Sequence, residues 1–367
     1  MRIGLIIYGS LDTRTGGYIY DKILVAHLRR LGHETEVISL SGRHYGRHLF
    51  DNVIPSVYAR IIHSSVDLLL QDGLCHPSLF IVNNKLKRTS TLPIVSIMHQ
   101  VLSSQPRNSW PNAIYRAVER RYLASVDAFI CNSQTTLNAV EKLTARKKPS
   151  LVAYPAGDRL GFLEPKEKIK TRALTKGPLK LLFIGNVLPN KGLHPLIQGL
   201  SHLPKDIWRL TVVGSLSMDT VYVRQIESLI HSRLSDQVNL TGSIDGTELA
   251  RHLSHHQVLV MPFSHEGFGI AIIEGMAFGL PAIGSASGAA KEIIVHGQNG
   301  FLISPGDNRS LLQYIQQLYH DRGRLVEMSS AALETFKSHP TWQDAMNAIH
   351  SFLCECQSRE FLGSVAA

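Results

Sequence analysis

The chain has 367 residues, 44% of them hydrophobic, and a formal net charge of +9. That length suits two packed domains better than one. No apolar run approaches the roughly 20 residues of a membrane span, which excludes an integral helical membrane protein. The basic excess is uneven: residues 1–165 hold 20 Lys and Arg against 12 Asp and Glu, and residues 166–367 hold 18 against 17. Such asymmetry suits an anionic substrate, an anionic membrane surface or nucleic acid, and equally plain solubility. Aromatic–basic interleaving and reader motifs are missing, so no nucleic-acid partner is expected. The four cysteines, Cys75, Cys131, Cys354 and Cys356, lack paired metal-type spacing. A reduced, cytoplasmic protein is expected.

In chain order, MRIGLIIYGS reads as a buried first strand rather than a signal peptide. YIYDKILVAHLRRLGHE follows with helical period and a stop at Gly32. TEVISL, VDLLLQ, PIVSIMH, VDAFICN and SLVAYP are further strands, with helices in PNAIYRAVERRYLAS and QTTLNAVEKLTA. This is the rhythm of a parallel sheet covered by helices on both faces. Residues 161–178, GFLEPKEKIKTRALTKGP, break it and read as a linker. The pattern then restarts with KLLFIGNV, RLTVVGS, QVNLTGS, QVLVMPF, LPAIGSA and GFLIS, and closes on a helix in TWQDAMNAIHSFLCECQ. Two doubly wound α/β domains in tandem follow. Their ligands are expected in crevices at the carboxyl ends of the strands.

Three stretches carry candidate chemistry. Asp12-Thr-Arg-Thr-Gly16-Gly17-Tyr18 joins the first strand to its helix, where two glycines let backbone approach a ligand and the helix offers its N-terminus to an anion. A plain turn fits it as well. Gly185-Asn-Val-Leu-Pro-Asn-Lys191-Gly192 puts a lysine at a strand-to-helix turn, suited to a phosphate or to solvent. The third, SHEGFGIAIIEGMAFGLP, sets Glu274 inside an apolar helical run, one turn beyond the glycine loop Gly267-Phe268-Gly269-Ile270. A carboxylate there needs a partner, either a side chain or a ligand such as a ribose diol. Glu266 stands on the other side of the loop, within reach of a sugar hydroxyl. A helix-dipole preference explains one acid near a helix start, but not an acid on each side of a glycine loop.

E-G-F-G-x-x-x-x-E resembles the E-x7-E motif of retaining glycosyltransferases of family GT4, which have the GT-B fold. The resemblance covers most of the chain. RTGGYIYDKILVAHLRRLGHE looks like that family's first glycine loop and helix, VSIMHQ like its strand ending in a cleft histidine, and FIGNVLPNKGL like its donor-phosphate segment. LPAIGSASGAAKEII and HGQNGFLISPGD look like the stretches closing its second domain.

The resemblance implies two Rossmann-like domains facing across a cleft. Residues 1–165 would be the acceptor domain, with a C-terminal helix at about 341–360 packing back on it, and residues 166–340 the nucleotide-sugar donor domain. Glu274 would bind the ribose and Glu266 the donor sugar. Phe268, Gly269 and Ile270 would offer backbone to sugar and phosphates. Lys191 would hold the diphosphate with Gly16, Gly17 and the segment at Gly185 and Asn186. His99 would face the transferred sugar; unaided, it reads equally as a core histidine. Glu266, His99 and Lys191 are thus the expected catalytic residues.

Three departures stand out. Asn186 replaces a common arginine, Pro155-Ala-Gly-Asp158 replaces an Asn-Gly-Val-Asp stretch, and Lys291-Glu292 replaces a Pro-Glu pair. The implied reaction is metal-independent sugar transfer with retention, from a UDP- or GDP-linked donor to a glycan or lipid-linked acceptor, with no cofactor. A catalytically silent partner subunit that binds nucleotide sugar or glycan is the alternative. Residues 103–125 carry Trp110, Tyr115, Arg107, Arg116, Arg120 and Arg121. They suit peripheral association with the inner face of an anionic membrane, or an ordinary surface helix packing Ile114, Val118 and Tyr122 inward.

Overall fold

Each of the twelve apolar runs forms a strand in the computed structural model, which describes residues 1–105, 109–265 and 267–358. The first six are β1 (Arg2–Tyr8), β2 (Glu34–Leu40), β3 (Leu68–Asp72), β4 (Ile94–Met98), β5 (Ala128–Cys131) and β6 (Ser150–Val152). They form one parallel sheet in the order β2-β1-β3-β4-β5-β6. The last six are β7 (Leu179–Ile184), β8 (Trp208–Val213), β9 (Val238–Gly242), β10 (Val258–Met261), β11 (Ala282–Ser285) and β12 (Gly300–Ile303). Their sheet is also parallel, in the order β12-β11-β10-β7-β8-β9. Strands β3, β4, β5, β10 and β11 are buried at every residue. Helices cover both faces of such sheets, so the strands read as unbroken apolar runs rather than alternating ones.

The chain divides into two units: Met1–Pro155 with the stretch that begins at Trp342, and Ala156–Thr341. Within the first, the last helix (Trp342–Gln357) lies against the first (Gly16–Arg30). The rings of Trp342 and Tyr20 stand 5.7 Å apart, edge to face, and the imidazoles of His33 and His350 share a 2.9 Å hydrogen bond. In the helix Ser109–Ser125, Val118 and Tyr122 point inward while Ile114 is 46% exposed. Buried Glu119 ties this helix down by accepting bonds from the amides of Leu102 and Ser103. Arg107 lies outside the described residues.

Residues 161–178 are not a plain linker, because Lys166–Leu174 is helical. Ile169 and Ala173, one turn apart, are buried, and Arg172 donates to the carbonyls of Leu253, Ser254 and Phe278. Two buried positions in nine residues are too few for periodicity to register.

Both sheets change winding direction once. The chain lays β2 on one side of β1 and then crosses to β3 on the other; likewise β8 and β9 extend one side of β7, and β10 to β12 the other. Ligands of open α/β sheets bind outside the carboxyl ends of the strands at such reversals. The carboxyl ends of β7 and β8 are tightly joined: the Gly185 amide donates to the Val213 carbonyl at 2.8 Å. A Cβ on Gly214 would stand 2.0 Å from the Gly185 oxygen, at a φ of +156°. Gly214→Ala is therefore expected to cost about 3 kcal/mol and lower the second unit's melting temperature by roughly 6–12 °C, read by calorimetry.

Candidate active site

In the second unit the winding reversal lies between the neighbours β7 and β10, and two strand-to-helix turns leave from it. Asp219, Asp245, Asp307 and Asp321 cap the helices that begin at Thr220, Gly246, Asn308 and Arg322. The helices after β7 (Leu193–Leu200) and after β10 (Ile270–Ala277) open instead on left-handed glycines, Gly192 and Gly269, which have no side chain to cap with. In the first of these helices the His194 amide is taken by the Tyr222 hydroxyl at 3.1 Å and Pro195 has no N–H, which leaves the Leu193 amide; in the second the amides of Ile270 and Ala271 open the helix, and neither first turn contains an acid.

These two turns pack on each other. A Cβ on Gly192 would meet the Pro262 carbonyl oxygen at 2.6 Å, and one on Gly185 would meet the Phe263 ring at 3.1 Å. Ser264 donates its amide and its hydroxyl to the Asn190 carbonyl, each at 3.1 Å. The Lys191 ammonium lies 4.0 Å from the Phe263 ring centroid, which leans the cation over the second turn. Asn186 Oδ1 accepts the Ser215 amide at 3.1 Å, so its amide oxygen is engaged by backbone. The Phe268 ring is buried beside that of His339. Gly185, Asn186, Lys191, Phe268, Gly269 and Ile270 thus belong to one pair of packed turns, and Glu266 lies outside the described residues.

Glu274, one turn into the helix Ile270–Ala277, is 2% exposed and has a protein partner that the sequence reading did not name. Arg159 grips it with two donors, Nε to Oε1 and Nη2 to Oε2, the latter at 3.2 Å. Burial raises the Glu274 pKa above the ordinary carboxylate value, and the guanidinium opposes that rise. Gly157 makes the approach possible: a Cβ there would meet the Ile273 carbonyl and the Glu274 amide at 2.7–2.9 Å.

In the first unit the reversal lies between β1 and β3, and Gly16 and Gly17 open the helix that follows β1. Gly17 faces His99, the residue after β4; a Cβ there would stand 3.0 Å from the imidazole Cδ2. His99 Nε2 donates to Asp21 Oδ1 at 3.1 Å, and Asn132 holds the His99 carbonyl at 2.9 Å. Asp72, the last residue of β3, completes the group, its Oδ1 accepting the Leu74 amide at 2.9 Å. Burial alone pushes the His99 pKa down, but the two carboxylates outweigh it and the net shift is upward. Burial, then Asp21, raises the Asp72 pKa. Asp21 and Asp72 also escaped the sequence reading. The available signal was the one that marked Glu274: Asp21 interrupts the buried stripe Tyr20, Leu24, Val25, Leu28.

Residues 165–335 match the model of the glycosyl transferases group 1. The chain is 25% identical over 252 residues to the D-inositol 3-phosphate glycosyltransferase of Xylanimonas cellulosilytica, covering 66% of this chain and 60% of that protein. It therefore spans about 60% of the length of this curated relative. Among solved structures, sucrose-phosphate synthase from Thermosynechococcus elongatus superposes with a TM-score of 0.81 at 20% identity, covering 96% of this chain and 98% of that one. HepE of Anabaena in complex with UDP-glucose superposes at 0.76 and 19% identity, covering 97% and 100%. At these identities the structural likeness carries the fold, which is GT-B.

Arg159→Ala would strand a buried carboxylate and is expected to cost about 3–5 kcal/mol at pH 8. Glu274→Gln should cost less, since Arg159, 27% exposed, regains water. Without the guanidinium the raised Glu274 pKa rises further, so the native state binds a proton that the unfolded state releases. The Arg159→Ala deficit should therefore shrink as pH falls from 8 towards 5, which denaturant titrations at each pH would measure.

Proposed function

We propose, from the premise that the chain belongs to the glycosyl transferases group 1 through residues 165–335, that it moves a sugar from a nucleotide-diphosphate donor to a glycan or lipid-linked acceptor. One observation carries this reading. At the winding reversal of the second unit, two packed turns open two helices on left-handed glycines, with the amides of Leu193, Ile270 and Ala271 leading them, and a lysine leans over the second turn. Such a place binds the tail of a nucleoside diphosphate.

On this reading the anomeric bond breaks towards an oxocarbenium-like sugar while charge collects on the departing diphosphate. Lys191 and the amides that follow Gly192 and Gly269 stabilise that charge, and no metal is asked of the diphosphate. The new bond forms with retention at the anomeric carbon. Arg159 favours the ionised form of Glu274 against the burial that opposes it. Each of its oxygens carries a second lone pair, and a ribose diol fills them. Glu266 contacts the donor sugar and His99 the transferred sugar. The UDP-glucose bound to HepE supports a UDP-linked donor.

For the acceptor, Trp110 at 79% exposure, exposed Ile114 and the exposed Arg116, Arg120 and Arg121 support peripheral contact with an anionic membrane, where a lipid-linked acceptor resides. No helix among the described residues is long and apolar enough to cross one.

Asn186 favours a second reading, a catalytically silent partner subunit, because a neutral amide engaged with Ser215 stands where the resembling family commonly has a cation. The two readings separate on nucleotide release. A thermal-shift panel of UDP, GDP and ADP with their sugars finds the donor, and release of that nucleotide is then followed. Lys191→Ala and Glu274→Gln should each cut turnover by about 10²–10³ while the fold survives. A wild-type chain that binds a donor but releases nothing supports the silent partner; full turnover in both variants overturns the site.

A further inference from the structure

The first unit buries more negative charge than it neutralises. Asp21 is fully buried and Asp72 is 1% exposed. Among the described residues neither is paired with a lysine or arginine. One ligand atom from each of Asp21, Asp72 and His99 lies within 4.8 Å of the other two. A second oxygen on each carboxylate, Asp21 Oδ2 and Asp72 Oδ2, is sealed from solvent with no hydrogen-bond partner. Buried carboxylate oxygens of this kind are costly unless something positive joins them, and two together cost more than one. Even a charged His99 balances only one of the two acids.

We propose that Asp21, Asp72 and His99 form a site for one first-row divalent cation such as Mn²⁺ or Zn²⁺. Two carboxylate oxygens and one imidazole nitrogen are a donor set such ions accept. Atoms bonded to one ion at about 2.0–2.2 Å stand on the order of 3–4 Å apart; His99 Nε2 and Asp21 Oδ1 already stand 3.1 Å apart, and Asp72 lies close enough to complete the set after a small shift. The ligands come from three separate elements: the helix Gly16–Arg30, the end of β3 and the residue after β4. Packed elements fix ligand positions better than one mobile loop does. The His99 side chain, 10% exposed, is the edge through which an ion enters.

On binding, His99 Nε2 exchanges its hydrogen bond to Asp21 for the metal. Nδ1 then keeps the proton, the tautomer set by the metal. The cation belongs to the first unit and makes no claim on the diphosphate. Its detection does not depend on any transferase reading.

The test uses the full chain, stripped with a chelator, desalted and titrated calorimetrically with MnCl₂ and with ZnCl₂. One equivalent of at least one metal should bind with micromolar affinity. Asp72→Asn removes a ligand without changing shape, and should weaken that binding by at least about 10–100-fold. It also relieves carboxylate repulsion, so without metal the variant should melt no lower than wild type. If it fails to fold, His99→Gln, altered at the partly exposed edge, reads the same loss of affinity. The chain has 18 histidines, so binding unchanged in both variants places the ion elsewhere and overturns the site. A wild type that binds neither metal, with an Asp72→Asn variant that melts higher, identifies the occupant as a proton and equally overturns it.

Discussion

A carboxylate removed from water has to be neutralised where it stands, and the second unit is arranged around one such case. Glu274 lies in the middle of a helix whose other buried residues are Ile, Gly, Met and Ala, and Arg159 closes over it with two donors. For the guanidinium to arrive, the backbone at Gly157 must pass against Ile273 and Glu274 at a distance no side chain permits. The beginning of the unit is thereby fixed to the helix whose N-terminus faces the proposed ligand. The ion pair stabilises less by its own strength than by removing the alternative, an unpaired charge in an apolar setting.

The same turns show how two neighbouring polar residues divide their work. Asn186 gives its amide oxygen to the Ser215 backbone and so helps join the ends of β7 and β8. Lys191, five residues on, rests its ammonium against an aromatic face, which holds the charge in place. A residue that looks like a lost cation in the sequence is thus a structural tie in the fold, and the remaining cation is held by a ring.

The inner strands β3, β4, β5, β10 and β11 were legible because parallel strands buried on both faces leave continuous apolar runs, and the glycine turns were legible because few residues other than glycine accept a left-handed φ. The helix Lys166–Leu174 was not, since only Ile169 and Ala173 mark its inner face. The charge partners were also out of reach. Arg159 and Glu274 are 115 residues apart and His99 and Asp21 are 78 apart, with nothing local to either that names the other. Sequence could say that Glu274 needed a partner; only the packed chain could say which. Ile114 was hidden for the opposite reason, because helical spacing marks a candidate inward face but not how far along the helix the neighbouring core extends.

The second unit is an insertion: the chain leaves the first at Pro155 and rejoins it at Trp342. The segment that makes the second sheet is continuous, so it can complete its own hydrogen-bonded ladder while the ribosome still holds the last helix. The earlier-made unit must wait, with Tyr20 and His33 uncovered, until the final stretch emerges. Order of synthesis and order of completion are reversed in this molecule. A nonsense change near codon 342 would therefore injure the half of the protein encoded first.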